Sequence, residues 1–342
     1  MAPSSEIWEV ARERLRAGER VFMVWVADHT RHSPGTRGAK LLLTQGGRAV
    51  GTVGGGIMEK ALLERGAAAL AQGAFEAEAR TLHHHRQASP DARSGMICAG
   101  HQTNVATLLE PNRDLEGVQA ICEALEADRA ALLRLSPHTG ITVRAQPPRR
   151  DVAPVRVVRS GSGWCYEEQL LSWHRAAIFG GGHCGQALSR LLVQLGYVVT
   201  VVDVRPELID PNPGGATRAI VVADYALAAA EVPHPEITLA VVMTANLPSD
   251  VRALVGALPR PFPFLGVMGA SAKLKAIRRA LRDEHGATEE ALERLVAPVG
   301  LPIGSSTPEE IAVSVAAQFI QERARLFPAL GPSPLRSEAD HL

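Results

Sequence analysis

The stretch Ala176-Ala177-Ile178-Phe179-Gly180-Gly181-Gly182-His183-Cys184-Gly185 reads as a buried strand running into a glycine-rich turn. Glycines at 180, 182 and 185 have the spacing G-x-G-x-x-G. The first permits a tight bend, the second lets a pyrophosphate come close to the backbone, and the third allows the next helix to pack against the strand. That helix offers its free first-turn amides to an anion. The pattern alone has little specificity, but its surroundings supply it. An apolar strand precedes it, an amphipathic helix over 183–195 follows, and Thr200-Val201-Val202-Asp203 closes a second strand over 197–202.

Downstream the period keeps alternating. Strands are expected at 217–222, 238–243 and 262–267, with helices at 249–257 and 270–283. Such alternation predicts a parallel sheet covered by helices, a Rossmann-type domain over 174–328. Thr307-Pro308-Glu309-Glu310 carries a capping Thr, Pro at the first helical position and Glu three residues after the Thr, so a last helix starts there. The Pro- and Ser-rich residues 329–342 are expected to form a flexible tail.

Upstream the pattern is different. A helix over 6–17 precedes a continuous apolar strand at 21–27, then strands at 41–43 and 49–53 surround Gln45-Gly46-Gly47-Arg48 as a hairpin. Gly54-Gly55-Gly56 leads into a helix, strands follow near 75–82 and 103–109, and 118–125 reads as a helix. Residues 1–150 are therefore expected to form an α+β domain. Prolines, arginines and glycines cluster between 137 and 165, which suggests edge strands, and 151–173 is taken as the connection between domains. The fold class is α/β, with a C-terminal Rossmann-type parallel sheet and an N-terminal α+β domain.

Length and composition agree with this division. A chain of 342 residues exceeds one compact domain. Lys plus Arg equals Asp plus Glu at 36 each, with no basic block, so no nucleic-acid partner is expected. Apolar runs are too short to cross a bilayer, the N-terminus lacks an export signal, and Cys98, Cys122, Cys165 and Cys184 form no Cys-x-x-Cys pair. A cytoplasmic location follows as an expectation. No metal site is read: His83-His84-His85 would alternate faces in a strand and could not share one ion.

Several residues are candidates for chemistry. Asp203, about twenty residues beyond the turn, suits a ribose diol, or it caps a helix or pairs with Arg205. His183 and Cys184 face either a ligand or the neighbouring helix. Gly54, Gly55 and Gly56 read either as an anion cradle or as a tight structural turn. Arg37 and Lys40 would supply countercharge to a phosphate, or are simply solvated. Cys98, flanked by Gly95 and Gly100, is the candidate reactive thiol, against the inert core role of most isolated cysteines. No hydrolase motif is present.

Taken together, these segments resemble the xanthine dehydrogenase accessory protein family (XdhC/CoxI) over residues 15 to 325. They are Ser33-Pro34-Gly35, Gly38-Ala39-Lys40, Gly51 to Gly56 with Glu59, Met96-Ile97-Cys98-Ala99-Gly100, Ile178 to Gly185, Val242-Met243-Thr244, Phe264 to Gly269, and Gly300 to Gly304 with Thr307 to Ala312. The chain departs at Ile57, where relatives have Cys, at Ala245-Asn246 in place of His-Asp, at Ala270-Ser271-Ala272-Lys273 in place of a serine and paired arginines, and at Ala99, where a second glycine is common.

The resemblance implies a chaperone more than an enzyme. Such a protein binds molybdenum cofactor (Mo-molybdopterin), protects it while a cysteine desulfurase installs the terminal sulfur, and hands it to a molybdenum hydroxylase apoenzyme such as xanthine dehydrogenase. Arg37, Lys40 and the glycine loops would hold the cofactor's anion, and Cys98 is the one thiol of the matched motifs placed to approach metal or sulfur. NAD or another nucleotide at Gly180, Gly182, His183, Gly185 and Asp203 is the other expectation, and an NAD-dependent oxidoreductase of a small substrate is the alternative function. A homodimer is the base-rate expectation.

Overall fold

The computed structural model describes residues 3–31, 33–83, 100–161, 163–210 and 212–331. The chain forms two compact units. Among the described residues, one comprises 3–171 together with 329–331, the other 172–328.

The first unit runs α1 (Pro3–Arg16), β1 (Val21–His29), β2 (Lys40–Thr44), β3 (Ala49–Gly51), α2 (Gly56–Gln72), β4 (Glu78–His83), β5 (His101–Leu109), α3 (Pro111–Glu126), β6 (Ala131–Ser136), β7 (Gly140–Ala145), β8 (Val155–Ser160) and β9 (Gly163–Leu170). These strands make two sheets, β3-β2-β1-β5-β4 and β7-β6-β9-β8, antiparallel at every pairing. β1 is apolar without alternation because both its faces are covered. Val21, Met23 and Trp25 join Trp8 of α1, Ile121 of α3 and Leu133 and Tyr166 of the second sheet. Phe22, Val24 and Val26 pack with Met58 and Leu62 of α2.

The second unit runs β10 (Arg175–Phe179), α4 (His183–Gln194), β11 (Val198–Asp203), β12 (Arg218–Val221), β13 (Leu239–Val242), α5 (Leu247–Ala257), β14 (Phe264–Val267), α6 (Ser271–Asp283), α7 (Glu289–Glu293), β15 (Leu295–Val296) and α8 (Pro308–Leu326). Its sheet has the order β12-β11-β10-β13-β14-β15 and every pairing is parallel. Connections after β10 run outward in one direction, and those after β13 in the other. The crevice at the carboxyl ends of β10 and β13 is therefore the topological switch point. α8 begins with the expected capping box of Thr307 and Glu310.

The structure corrects the sequence reading in two places. Residues 151–173 are not mainly a connection, since they hold β8 and β9, which complete the second antiparallel sheet. Residues 131–145, of which the sequence marks only those from 137 onward as edge strands, supply its other two strands. Prolines at 147, 148 and 154 and arginines at 134, 144, 156 and 159 interrupt the hydrophobic pattern of these short strands. His84, His85 and residues 332–342 of the expected tail lie outside the described residues, as does His32. No described helix is long and apolar enough to cross a membrane.

Candidate functional site

The turn after β10 assigns separate roles to its glycines. Gly180 sits at φ +120°, and a Cβ there would collide with the Met243 carbonyl and come within 3.0 Å of Thr244 Cα, at the end of β13. A Cβ on Gly185 would strike the Gly180 carbonyl oxygen. These two glycines are therefore demanded by the bend and by the close passage of α4. Gly182 is different: its φ of −69° is ordinary and a Cβ there meets nothing within 4 Å. The open space lies over the start of α4, whose N-cap is Gly182, with no side-chain cap and no acidic residue in the first turn. Uncapped first-turn amides with the positive end of a helix dipole behind them attract an anion. His183 opens this helix. Burial, followed by the charge of Glu309, pushes the Cys184 thiol up, so it is not an activated thiolate.

Asp203 ends β11 fully buried. Its Oδ2 accepts the Gly181 amide at 2.7 Å and Arg205 Nη2 at 2.9 Å, and its Oδ1 accepts Arg205 N and Nε, each at 2.9 Å. Burial opposes ionisation, yet the bonds from Arg205 and Gly181 hold the carboxyl below its ordinary range. The ion pair with Arg205 expected as one of its roles is present. The same carboxylate fixes the middle of the glycine turn.

Next to this turn is a polar network that the sequence reading passed over. Asp250, fully buried on α5, accepts the Thr244 amide at 3.1 Å and the Thr244 hydroxyl at 2.6 Å, and pairs with Lys273 of α6. It ties the carboxyl ends of β13 and β14 together beside the switch point. Asp at 250 lies six residues after Thr244, which is too long a spacing to stand out in one sequence.

In the first unit, the two glycine-bearing segments read as candidates are in direct contact. A Cβ on Gly54 would come within 2.7 Å of Gly35 N, and one on Gly35 would strike the Val53 carbonyl. Gln102 of β5, with no exposed surface, joins them. Its Oε1 accepts Ser33 Oγ at 2.9 Å and Gly35 N at 3.1 Å, while its Nε2 donates to Val53 O at 3.0 Å and Asn104 Oδ1 at 2.8 Å. The sequence reading missed Gln102. The available signal was weak, since Gln102 and Asn104 share one face of a strand that is polar from His101 to Asn104.

Gly54, Gly55 and Gly56 all have positive φ, at 123°, 70° and 67°. The cradle they make holds an anion from the chain itself. Glu59 Oε2 accepts the Thr52 hydroxyl at 2.5 Å, Val53 N at 2.9 Å and Gly55 N at 3.1 Å. Burial raises the Glu59 pKa, but these hydrogen bonds outweigh it and bring it below the ordinary value.

Arg37 and Lys40 are also engaged within the chain and are not solvated. Arg37 Nη2 bonds Asp28 at 2.6 Å, and its Nη1 donates to the carbonyls of Ala329 at 2.7 Å and Gly331 at 3.0 Å. Lys40, buried on β2, bonds Glu168 at 2.7 Å and Gly38 O at 2.9 Å. His29 Nδ1 accepts the Arg37 amide at 3.1 Å, and burial, with the Arg37 charge added, lowers its pKa. Cys98 lies outside the described residues, in a segment that ends at Gly100 where β5 is about to begin. Among the described residues, no group of three or more His, Cys, Asp or Glu is placed to hold a metal ion.

Residues 177–319 match the family described as the XdhC Rossmann domain, and residues 14–84 match the XdhC and CoxI family. The uncharacterized protein YqeB of Escherichia coli (strain K12) is 33% identical over 147 residues, 43% of this chain and 27% of that protein. A probable xanthine dehydrogenase component of Bacillus subtilis (strain 168) is 29% identical over 152 residues, 44% of this chain and 44% of that protein. This chain thus spans less than half the length of either relative. A crystal structure described as a xanthine dehydrogenase from Bacillus halodurans has a TM-score of 0.64 at 21% identity over 93% of this chain and 95% of that one, a likeness of fold. One family match spans the paired glycine loops and the other spans the parallel sheet with its turn, and on both the chain belongs to the XdhC and CoxI family.

Proposed function

We propose that this chain is a cytoplasmic accessory protein that holds molybdenum cofactor for sulfuration and passes it to a hydroxylase of the xanthine dehydrogenase type, with a cysteine desulfurase as its second partner. The observation that carries the reading is the uncapped first turn of α4 under open space at Gly182, at the switch point of a parallel sheet. A phosphate of the pterin fits that place by charge and room. When bound, the cofactor supplies a dithiolene-held metal that takes up the terminal sulfur.

The protein's own part is to bind and orient. Asp203 holds the Gly181 amide so that the turn keeps its shape, and Thr244 with Asp250 supports it from the β13 side. Arg37, Lys40 and Glu59 act as internal ties of the first unit's loops; in this state their charges are committed to protein partners. Cys98 is proposed as the thiol that approaches metal or sulfur.

The test is expression in a host that makes molybdenum cofactor, followed by assay of the purified protein for molybdenum and oxidised pterin. Near-equimolar amounts, lost in Gly182→Val, support the reading. Cys98→Ser should keep the pterin and lose client activation. Absence of both metal and pterin, with a nicotinamide cofactor bound instead, would make the protein an NAD-dependent oxidoreductase. The sheet order favours that second reading, and the occupied carboxylate of Asp203 weighs against it.

A further inference from the structure

Charge is balanced over the whole chain but not over residues 129–160, which hold seven arginines, no lysine and a single acidic residue, Asp151. The fold turns this sequence bias into a surface. In the sheet β7-β6-β9-β8, Leu133, Leu135, Tyr166 and Trp164 turn toward the core, so the alternate residues share the other face. Cross-strand register sets Arg134 of β6 and Arg156 of β8 on either side of Glu167 of β9. Arg156 grips one carboxylate oxygen through Nε at 2.9 Å and Nη2 at 2.7 Å, and Arg134 reaches the other at 3.2 Å.

One register step along, Arg144 of β7 stands beside Leu132 and Gln169, and Arg149 is held over them by its own backbone, which Gln169 bonds through both N and O. Arg144, Arg149 and Arg156 with Gln146, Gln169 and Glu167 line a recess of about 50 Å³. Among the described residues the protein offers these arginines few acids: Arg144 bonds the Gln146 side-chain oxygen, and Arg149 pairs with the exposed Asp151.

We propose that this outer face docks an acidic segment of a partner protein, whose carboxylates enter the arginine forks as Glu167 already does. Arginine, more than lysine, suits carboxylates because its planar fork binds both oxygens. A single-stranded nucleic acid would need aromatic platforms, and the aromatic residues of β9 face the core. None of these residues belongs to either glycine turn, so the test is independent of the cofactor reading.

The experiment titrates the full chain with a fluorescent 20-residue glutamate-rich peptide and with a single-stranded oligonucleotide of equal charge, each at low and high salt. The expected result is tighter binding of the peptide, weakened about tenfold in Arg144→Gln/Arg149→Gln. Arg144→Lys/Arg149→Lys keeps the charge and should still bind the peptide more weakly than the native chain. Both arginines are exposed, and an unchanged melting temperature confirms that the variants fold; the single variant Arg144→Gln serves if the double variants do not. Equal peptide affinity in native and Gln variants, or binding of neither probe, overturns the proposal. Tighter binding of the oligonucleotide overturns it in favour of a nucleic-acid surface.

Discussion

Gln102 Oε1 accepts the backbone amide of Gly35 at 3.1 Å, from a strand nearly seventy residues further along the chain. The opposite end of the same amide holds Val53 O, so one side chain sets the distance between the two glycine loops. Gln102→Leu keeps the volume but leaves the Gly35 amide, the Ser33 hydroxyl and the Val53 carbonyl without this partner. The expected loss is about 2–4 kcal/mol of unfolding free energy. Denaturant titration of native and variant chains checks it, and a loss within error of zero would show that the loops close without this link.

The three glycines of the second turn should respond differently. Gly180→Ala faces both a positive φ and the Met243 carbonyl, and Gly185→Ala faces the Gly180 carbonyl. Each should cost about 3 kcal/mol or more. Gly182→Ala, with ordinary φ and open space, should melt within a degree or two of the native chain while losing bound phosphate ligand in the case of the larger Gly182→Val. Thermal melts paired with ligand assays separate the two effects.

Asp203 is predicted to matter for stability before it matters for binding. Asp203→Ala frees the Gly181 amide and leaves Arg205 without its carboxylate, for an expected loss of about 2–3 kcal/mol, given that Arg205 is partly exposed and screened. If the residue served mainly as a ribose ligand, the variant would melt like the native chain.

The second unit should weaken in mild acid through His174. Burial, then the charge of Arg323, lowers its pKa from the ordinary 6.5 to about 4. The unfolded chain therefore takes the proton first. Stability is complete above pH 6.5 and falls as pH drops toward 4, with a contribution of about 1–2 kcal/mol once partial exposure is allowed for. His174→Phe keeps the edge-on contact with Tyr197 and should flatten the pH dependence in that window. An unchanged slope would assign the acid sensitivity to another group. The lowered carboxyl of Asp203 acts in a separate range, below its ordinary 3.8.

The second unit was largely legible because its elements alternate and its turn has glycines at positions where backbone geometry demands them, as Gly180 and Gly185 do. The second antiparallel sheet was not. The cluster of prolines, arginines and glycines over 137–165 suggests edge strands, but nothing in Val155-Arg156-Val157-Val158-Arg159 tells that this segment pairs with β9, and β9 with β6, as a separate sheet. Within the sites, glycine positions could be read from spacing, but the partners of charged residues could not. Lys40 finds Glu168 128 positions away, Arg37 finds carbonyls at 329 and 331, and Asp203 finds Gly181 behind it. Such pairings depend on tertiary approach, which one sequence does not display.

The tie between Arg37 and the carbonyls of Ala329 and Gly331 has a consequence for synthesis. Residues 329–331 belong to the same unit as the helices and strands before residue 172, so the parallel-sheet unit lies as an insertion between them. On the ribosome, the early sheets and helices can collapse long before that, but Arg37 must wait for nearly three hundred further residues before its last acceptors exist. The first unit to start folding is therefore the last to be finished.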